Sequence, residues 1–380
     1  METIVTEERP RLNVTSTVFL LGTLLIALVG TPWYIVTHGL GWPETLTFLG
    51  IWFAVGLSVT AGYHRLFAHK TYQAAWPVRL FFLVFGAASL ENSVLNWAAD
   101  HRVHHTHVDE ERDPYNITKG FWWAHIGWIF FENEAPSQTV VRDLLEDPLV
   151  VWQNRWYHVV GLGIAFGVPL LVGLLTGNVL GCLLIGGVLR VVVSHHTTFF
   201  INSLCHMIGR QPYSKEHTAR DSGIMAVLAF GEGYHNYHHS FPFDYRNGVK
   251  AWQFDPAKWA IYLLSKVGLT RDLRRAPEAA VLKAKVELQF EAARERMQQV
   301  VSHLRETHEA RLHENYERLQ AALHELLSLQ RRHKPKPAAA DGDEHLPLET
   351  RIGLAYNALE KALAEWKQTL RQTNQLPVAA

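Results

Sequence analysis

Long runs of uncharged residues in the first two thirds of the chain predict helices that cross a membrane. Residues 14–36 contain no Asp, Glu, Lys or Arg and are long enough to span a hydrocarbon core of about 30 Å. Residues 45–63 form a second run of this kind. A third run, residues 156–189, is too long for one helix, and Thr-Gly-Asn at 176–178 divides it into a hairpin of two. The pattern therefore predicts four spans, the last of which continues to about Ile201.

Three smaller features of this apolar region carry their own expectations. Residues 80–90 are apolar but short for a span, so we expect them to be interfacial or buried. Arg190 lies inside the fourth span, and we expect it to face the interior and pair with a carbonyl oxygen or an Asp. Residues 2–11 carry three Glu and two Arg, which does not fit a secretory signal.

The last third of the chain follows a different pattern. Apolar residues recur every three or four positions through 276–333, which predicts one amphipathic helix about 50 residues long. Residues 348–371 predict another such helix, and the composition near 334–346 predicts a flexible linker between the two. We therefore divide the chain into an N-terminal segment (1–13), a four-span domain (14–269) and a charged tail folded as a two-helix hairpin (270–380).

Composition sharpens this division and excludes several classes of protein. The chain carries 36 basic and 36 acidic side chains, but 34 of the 111 residues from position 270 onward are charged, against 38 of the 269 before it. A zero net charge gives no support for nucleic-acid binding. The only two cysteines, Cys182 and Cys205, cannot form a disulfide-stapled domain or a Cys-based metal site. Any metal must therefore be held by nitrogen and oxygen atoms.

The distribution of Lys and Arg predicts the orientation of the spans. The short loops at 37–44 and 176–178 contain neither residue, whereas residues 64–155 contain eight, and the chain after 202 is also rich in them. Because basic residues are retained in the cytoplasm, we expect both termini and both large polar segments on the cytoplasmic side.

Most histidines of the four-span domain occur in groups at the cytoplasmic ends of the predicted spans or beyond them. The groups are His64 with His69, His101 with His104 and His105, Asn202 with His206, and His235 with His238 and His239. Separations of three and four residues put side chains on one face of a helix, so each His-x-x-His-His group can direct three imidazoles at one centre. His64 and His69 diverge by about 140° on an α-helix, so we expect them to reach two neighbouring centres.

These imidazoles predict a site for two metal ions. The groups contain nine histidines, which is more than one ion can bind and enough to saturate two. Nitrogen-rich ligation without sulfur suits iron, zinc or copper rather than calcium or magnesium. The ligand types alone leave the choice among these three metals open.

The residues around the histidines form longer motifs. They are Thr-Ala-Gly-Tyr-His-Arg-Leu at 60–66, Asn-Trp-Ala-Ala-Asp-His-Arg-Val-His-His at 96–105, Asp-Pro-Tyr-Asn at 113–116, Gly-Phe at 120–121, His-Ile-Gly-Trp at 125–128, and Gly-Glu-Gly-Tyr-His-Asn-Tyr-His-His-Ser-Phe-Pro-Phe-Asp-Tyr at 231–245. With these motifs the chain resembles the membrane fatty-acid desaturase superfamily, and within it the acyl-CoA Δ9 (stearoyl-CoA type) branch. The resemblance covers roughly residues 15–265 and leaves the tail outside.

This resemblance implies a fold, a metal centre and a reaction. The fold is an all-α integral membrane protein of four transmembrane helices, with a cytosolic helical cap that holds a histidine-rich di-iron site. The nine grouped histidines would bind the two iron ions, and Asn202 would hold one of them through a water. The reaction consumes O2 and two electrons and places a cis Δ9 double bond in a long-chain saturated fatty acyl-CoA. No heme, flavin or iron–sulfur cluster is expected, so a separate electron-donor protein and reductase would supply the electrons.

The resemblance also implies a kinked hydrophobic tunnel for the acyl chain. The corresponding positions are Trp97, Thr198 and Phe199 near the bend, where Phe199 replaces an expected Trp, and Trp52 and Gly56 where the family limits the tunnel depth. Such a tunnel fixes which carbons face the metal, so geometry selects the bond that reacts. Lys119 and Arg155 are cytoplasmic-rim cations that could meet the phosphates of a CoA head group or of membrane lipids.

The sequence leaves alternatives to this reaction. Within the same superfamily, the substrate could be a phospholipid acyl chain, or the product could be hydroxylated. A zinc-dependent membrane hydrolase would need few ligands beside a catalytic carboxylate, as in H-E-x-x-H, and this motif does not occur. A metal transporter would place histidines inside the spans rather than at their ends. The tail is expected to bind a partner, a second copy of the chain or the membrane surface.

Overall fold

Helices make up most of the chain, as the apolar pattern predicts. The structure is a computed structural model that describes residues 11–132, 138–332 and 346–378. The described residues fall into two compact units. One contains the residues up to Gln211 together with Glu216–Arg275, and the other contains Pro212–Lys215 and the residues from Ala276 onward. Each unit has its own hydrophobic core.

Among its described residues, the first unit contains four helices that are long and apolar enough to cross a membrane, which confirms the four predicted spans. In chain order its helices are α1 (Val14–His38), α2 (Trp42–Ala68), α3 (Trp76–Ala87), α4 (Val94–His107), α5 (Phe121–His125), α6 (Arg142–Leu145), α7 (Pro148–Thr176), α8 (Val179–His206), α9 (Gly223–Leu228), α10 (His235–Ser240) and α11 (Pro256–Lys266). The spans are α1, α2, α7 and α8. Two short antiparallel strands pair with each other: β1 (Gln73–Ala74), which follows α2, and β2 (Thr270–Arg271), which follows α11.

Local sequence decides where the last two spans begin and end. The helix α7 begins at Pro148, before the predicted run, because the Asp147 side chain caps its first turn and proline fits that position. Gly177, with a φ of 74°, ends α7, and the Asn178 side chain then accepts the backbone N–H of Gly181 at 3.0 Å to start α8. These caps produce the predicted hairpin.

The helix α3 covers most of the stretch expected to be interfacial or buried, and it packs against α2 and α7. Its C-terminal end lies inside the protein, where Arg190 Nη1 donates to the carbonyl oxygen of Ala88 at 2.7 Å. Arg190 Nη2 reaches the carbonyl oxygen of Ala165 at 3.5 Å, and His195 Nε2 lies 2.8 Å from that of Ser89. Arg190 therefore pairs with two carbonyl oxygens, which is one of the two kinds of partner expected for it. Its charge complements the negative end of the α3 dipole.

The core of the first unit fixes the elements that carry the histidines. Tyr63 on α2, Phe82 and Leu83 on α3, Val94 on α4 and Ile261 on α11 are all buried in one apolar cluster. The ends of α2 and α4 are consequently held side by side, with their histidines on adjoining faces.

The described part of the second unit contains three helices, so the expectation of a two-helix hairpin is wrong. They are α12 (Glu278–Met297), α13 (Ser302–Arg332) and α14 (Leu348–Gln375). The predicted single helix over 276–333 breaks after Met297, where Val300 forms an antiparallel bridge with Val378. Arg305 also donates to the carbonyl oxygens of Gln298 and Val300. The linker expected near 334–346 lies outside the described residues except at its last position.

Candidate metal centre

The nine predicted histidine ligands come from four parts of the chain and lie together in the structure. Their ring nitrogens form two groups, within each of which the atoms lie within 4.8 Å of one another. One group is His64, His69, His101, His105 and His238, and the other is His104, His206, His235 and His239. The groups are neighbours, because His104 and His105, like His238 and His239, are consecutive residues that divide between them.

The spacing of the nitrogens within each group fits a bound cation. Nε2 of His64 lies 3.0 Å from Nε2 of His238, and Nε2 of His206 lies 3.1 Å from Nε2 of His235. Two nitrogens bound at right angles to one ion, at about 2.1 Å each, lie about 3 Å apart. The donor set therefore fits two metal ions, and no cysteine belongs to either group.

His64 and His69 belong to one group, so the expectation that they reach two centres is wrong. The last part of α2, Ser58–Ala68, is a π-helix, and the N–H of His69 bonds to the carbonyl oxygen of His64 five residues earlier, at 3.0 Å. This wider turn places residues five apart on the same face. The two ring centroids are accordingly 4.8 Å apart.

The outward-facing Nδ1 atoms of four of these rings meet oxygen atoms. His64 lies 2.9 Å from Glu232, His104 lies 2.9 Å from Asp113, His101 lies 3.3 Å from the Tyr115 hydroxyl and His206 lies 2.7 Å from the Thr218 hydroxyl. An oxygen that accepts the Nδ1 proton leaves the Nε2 lone pair for a metal and fixes the ring orientation. These contacts therefore prepare the inward-facing nitrogens for ligation.

The protonation of the rings also favours metal binding. Burial, together with the neighbouring imidazoles, holds the pKa of seven histidines well below the usual range: His69, His101, His104, His105, His235, His238 and His239. These rings stay neutral at ordinary pH, which is the form that binds a metal ion.

Glu232 connects the centre to a buried ionic network. Besides His64, it contacts Arg65 Nη2 at 3.1 Å and accepts from the Asn247 amide at 2.7 Å, and Arg65 also donates to Asp255 at 3.1 Å. Burial alone would raise the pKa of Glu232, but the interactions with His64 and Arg65 outweigh it and hold this pKa below its usual value. Glu232 is therefore a permanent carboxylate behind His64.

A cavity of about 720 Å³ opens onto the histidines and is lined by residues of all four spans. The lining includes His64, His101, His104 and His235 of the metal centre, and all five residues predicted for the tunnel: Trp52, Gly56, Trp97, Thr198 and Phe199. Trp97 stacks on the His101 ring, with centroids 5.0 Å apart. Asn202 also lines the cavity.

Lys119 and Arg155 do not line this cavity. The Lys119 ammonium lies 2.8 Å from Glu111 and over the ring of Trp123. The Arg155 guanidinium lies over the ring of Trp156. Neither side chain contacts the metal centre, so any role in substrate binding concerns a group outside the cavity.

Several residues of the site were not identified from the sequence. Asp113 and Glu232 lie inside the quoted motifs, and an acid close to a histidine group is a signal that a search for ligand partners could have used. Thr218 had no such signal, because its hydroxyl donates at 2.7 Å to Asp109, more than a hundred residues earlier in the chain. Only the fold brings these two residues to His206.

Comparison with known proteins adds an independent line of support. The family model for fatty acid desaturases matches residues 40–266. The chain is 43% identical over 235 residues to acyl-CoA desaturase 1 of Saccharomyces cerevisiae, covering 61% of this chain and 46% of that protein. It is 44% identical over 248 residues to a probable acyl-CoA desaturase of Schizosaccharomyces pombe, covering 64% and 52%. It is 36% identical over 248 residues to stearoyl-CoA desaturase 5 of Bos taurus, covering 63% and 74%.

These matches have a defined extent. The chain spans about half the length of the two yeast relatives, and the family match ends before the part of the second unit that starts at Ala276. Within the matched part lie α2, α7 and α8, three of the four apolar helices, and all nine histidines, whereas α1 precedes it. The protein is a membrane protein with a histidine-rich site able to bind metal, and the chain belongs to the fatty acid desaturase family.

Proposed function

We propose that this protein is an O2-dependent desaturase that introduces a cis Δ9 double bond into a long-chain saturated fatty acyl-CoA. The observation that carries the proposal is the pair of imidazole groups facing a cavity lined by all four spans. The names of the relatives, acyl-CoA and stearoyl-CoA desaturases, support the same class of substrate.

We propose iron as the metal, two ions per chain. Nine imidazoles without sulfur suit iron, and Asn202, four residues before His206, is placed to hold one ion through a water. Bound iron would supply the activation of O2 that removal of hydrogen from an unactivated methylene needs. In the balanced reaction the acyl chain loses two hydrogens, and these, with two electrons, two protons and O2, give two waters.

The residues of the cavity have the task of positioning the chain. Trp97 and Phe199 present apolar rings along the wall, and the stacking of Trp97 on His101 holds that wall against the metal centre. A chain held in this way presents one pair of methylenes to the metal, and it excludes water from the reacting carbons. Position along the cavity then decides which bond becomes unsaturated.

The head group and the electron donor are expected outside the cavity. Lys119 and Arg155, which lie beyond the lining, are the proposed contacts for the phosphates of CoA. We propose that electrons come from a separate donor protein and its reductase. Because the polar segments of the chain are rich in Lys and Arg, we place the metal centre and both termini on the cytoplasmic side.

The decisive experiment is expression in a host that lacks its own Δ9 desaturase. Gas chromatography of the fatty acids, with the position of the double bond assigned by mass spectrometry, should detect cis Δ9 products that require O2. The purified protein should contain two iron ions per chain. A hydroxylated product, or unsaturation confined to phospholipids when acyl-CoA is supplied to membranes, would contradict the proposal in favour of another reaction of the family.

A further inference from the structure

We infer that Phe230 sets the depth of the cavity and thereby the length of acyl chain that the protein accepts. The inference rests on the proposed desaturase function. Phe230 lies in the loop between α9 and α10, far in sequence from the span that forms the opposite wall, and it is almost fully buried while lining the cavity.

The position of Phe230 relative to the metal follows from the lining of α2. The lining residues of this span recur at three- and four-residue spacing from Trp52 to His64, so they form one face. Gly56 is eight residues from His64, which corresponds to about two turns of the helix. At this level the Phe230 ring meets α2, with its centroid 4.9 Å from that of Trp52 and 5.7 Å from that of Phe53.

Gly56 is shaped to receive this ring. A Cβ atom built at Gly56 would lie 2.3 Å from Cε2 of Phe230 and 2.7 Å from Cδ2 and Cζ, which is closer than any side chain tolerates. The ring therefore occupies the space that a side chain at position 56 would fill. Gly56 and Phe230 form one interlocking pair, and a change in either alters the end of the cavity.

The backbone around Phe230 is held firmly, so the ring is a fixed wall. Phe230 has a φ of 53°, a left-handed conformation that a bulky residue adopts only when its surroundings impose it. The following glycine, Gly231, approaches Asp255 so closely that a Cβ would lie 2.6 Å from its Oδ1. Two residues after Phe230, Glu232 is anchored by Arg65 and His64. The loop is thus fastened directly behind the ring.

This arrangement predicts how substitutions change chain-length selectivity. Phe230→Leu replaces the ring with a smaller side chain and opens space beyond Gly56. A longer acyl chain then fits without moving the carbons that face the metal. One methylene more or less in an apolar pocket changes the selectivity between two substrates about tenfold or more. Gly56→Ala has the opposite effect on the accepted chain length, because the added methyl group pushes the Phe230 ring into the cavity.

The test uses the purified full-length protein and saturated acyl-CoAs that increase in two-carbon steps. Two quantities are measured: the product ratio when neighbouring lengths compete, and the thermal stabilisation that each acyl-CoA confers. Phe230→Leu should move both optima to longer chains, with about a tenfold change in the competition ratio, and Gly56→Ala should move them to shorter chains. The double variant should return towards the wild type. Phe81→Leu makes the same chemical change on a partly exposed ring outside the cavity and should change neither.

The two readouts separate the inference from the proposed function. If the wild type forms no unsaturated product, the proposed function fails, and the stabilisation series alone still decides the role of Phe230. If the wild type prefers one chain length and Phe230→Leu leaves both optima unchanged, the inference is overturned while the desaturase function stands. A variant that loses all stabilisation by every acyl-CoA would also overturn it, since a depth residue changes the preferred length and not binding as such.

Discussion

The two compact units bury very different side chains. The second unit packs Leu, Ala and Val around the fully buried Trp366. The first unit buries six of the nine grouped imidazoles and, behind them, the charged side chains of Arg65, Glu232 and Asp255. Apolar burial stabilises a fold by about 25 cal/mol per Å², whereas a buried ion pair often adds nothing over an apolar pair of the same size. In the first unit, much of the buried volume therefore forms a ligand site, whereas in the second unit the buried side chains stabilise the fold.

The largest effect that should separate the two regions is the loss of a single imidazole. His104→Ala removes one nitrogen from the four-histidine group, so the product should fall to the background of the host and the iron content should drop below two per chain. The amount of protein in the membrane should stay the same, because the spans are unchanged. The matched control is His324→Ala on the exposed side of α13, which should keep both product and iron. Full activity of His104→Ala would contradict the assignment of the centre.

The converse change, in the apolar core of the second unit, should affect stability and leave the chemistry intact. Leu323 is fully buried, and Leu323→Ala should destabilise this unit by about 2–5 kcal/mol through lost burial and a cavity. Protease sensitivity of residues 276–378 and thermal unfolding measure the effect. Leu354→Ala makes the same change at a side chain that is 55% exposed and should have little effect. A changed fatty-acid product in Leu323→Ala would show that the second unit has a part in the reaction.

The sequence predicted the four spans and the histidine groups because both depend on local patterns. A run without charges determines a span by itself, and the spacing of His101, His104 and His105 determines a shared helical face. Their assembly into two groups depends on packing between α2, α4, α8 and α10, which no local pattern contains. The resemblance to a known family supplied that step.

The failed expectations show where local reasoning ends. His64 and His69 were expected at two centres because an α-helical turn was assumed, whereas the π-helix of α2 brings them into one group. No glycine or proline marks the break after Met297. The helix ends there because Val300 forms a bridge with Val378, almost eighty residues later. Phe230 faces Gly56 across a similarly long separation. The break after Met297 and the contact between Phe230 and Gly56 are thus decided by distant segments of the chain.

A smaller effect should come from the carboxylate behind the metal centre. Glu232→Gln keeps the size of the side chain but removes the charge that faces His64 and Arg65. Substitutions of this kind behind a metal ligand reduce metal affinity or activity about 10–100-fold, so we expect a loss in that range for both quantities. Iron retention against a chelator and product formation measure it. Glu146→Gln, at an exposed position in the same unit, should change neither, and an unaffected Glu232→Gln would reduce the network to a purely structural element.

The smallest effect concerns a charge pair of the first unit that should contribute stability alone. Asp143 contacts Arg102 at 2.7 Å and Lys70 at 2.7 Å, and these cations outweigh partial burial and lower the pKa of Asp143 to about 2. Because the pKa is lower in the folded state, the stabilisation is complete above the unfolded value near 4 and is lost as the pH falls through 2. The side chain is about a third exposed, so Asp143→Asn should lose under about 1 kcal/mol at neutral pH, and the difference should shrink at about pH 3. Thermal unfolding at the two pH values measures it, with the exposed Asp272→Asn as control. Unchanged iron content and product in Asp143→Asn would show that this charge pair contributes only to stability, as the apolar contacts of the second unit do. An altered product would show that the ligand site extends to the Arg102 side of α4.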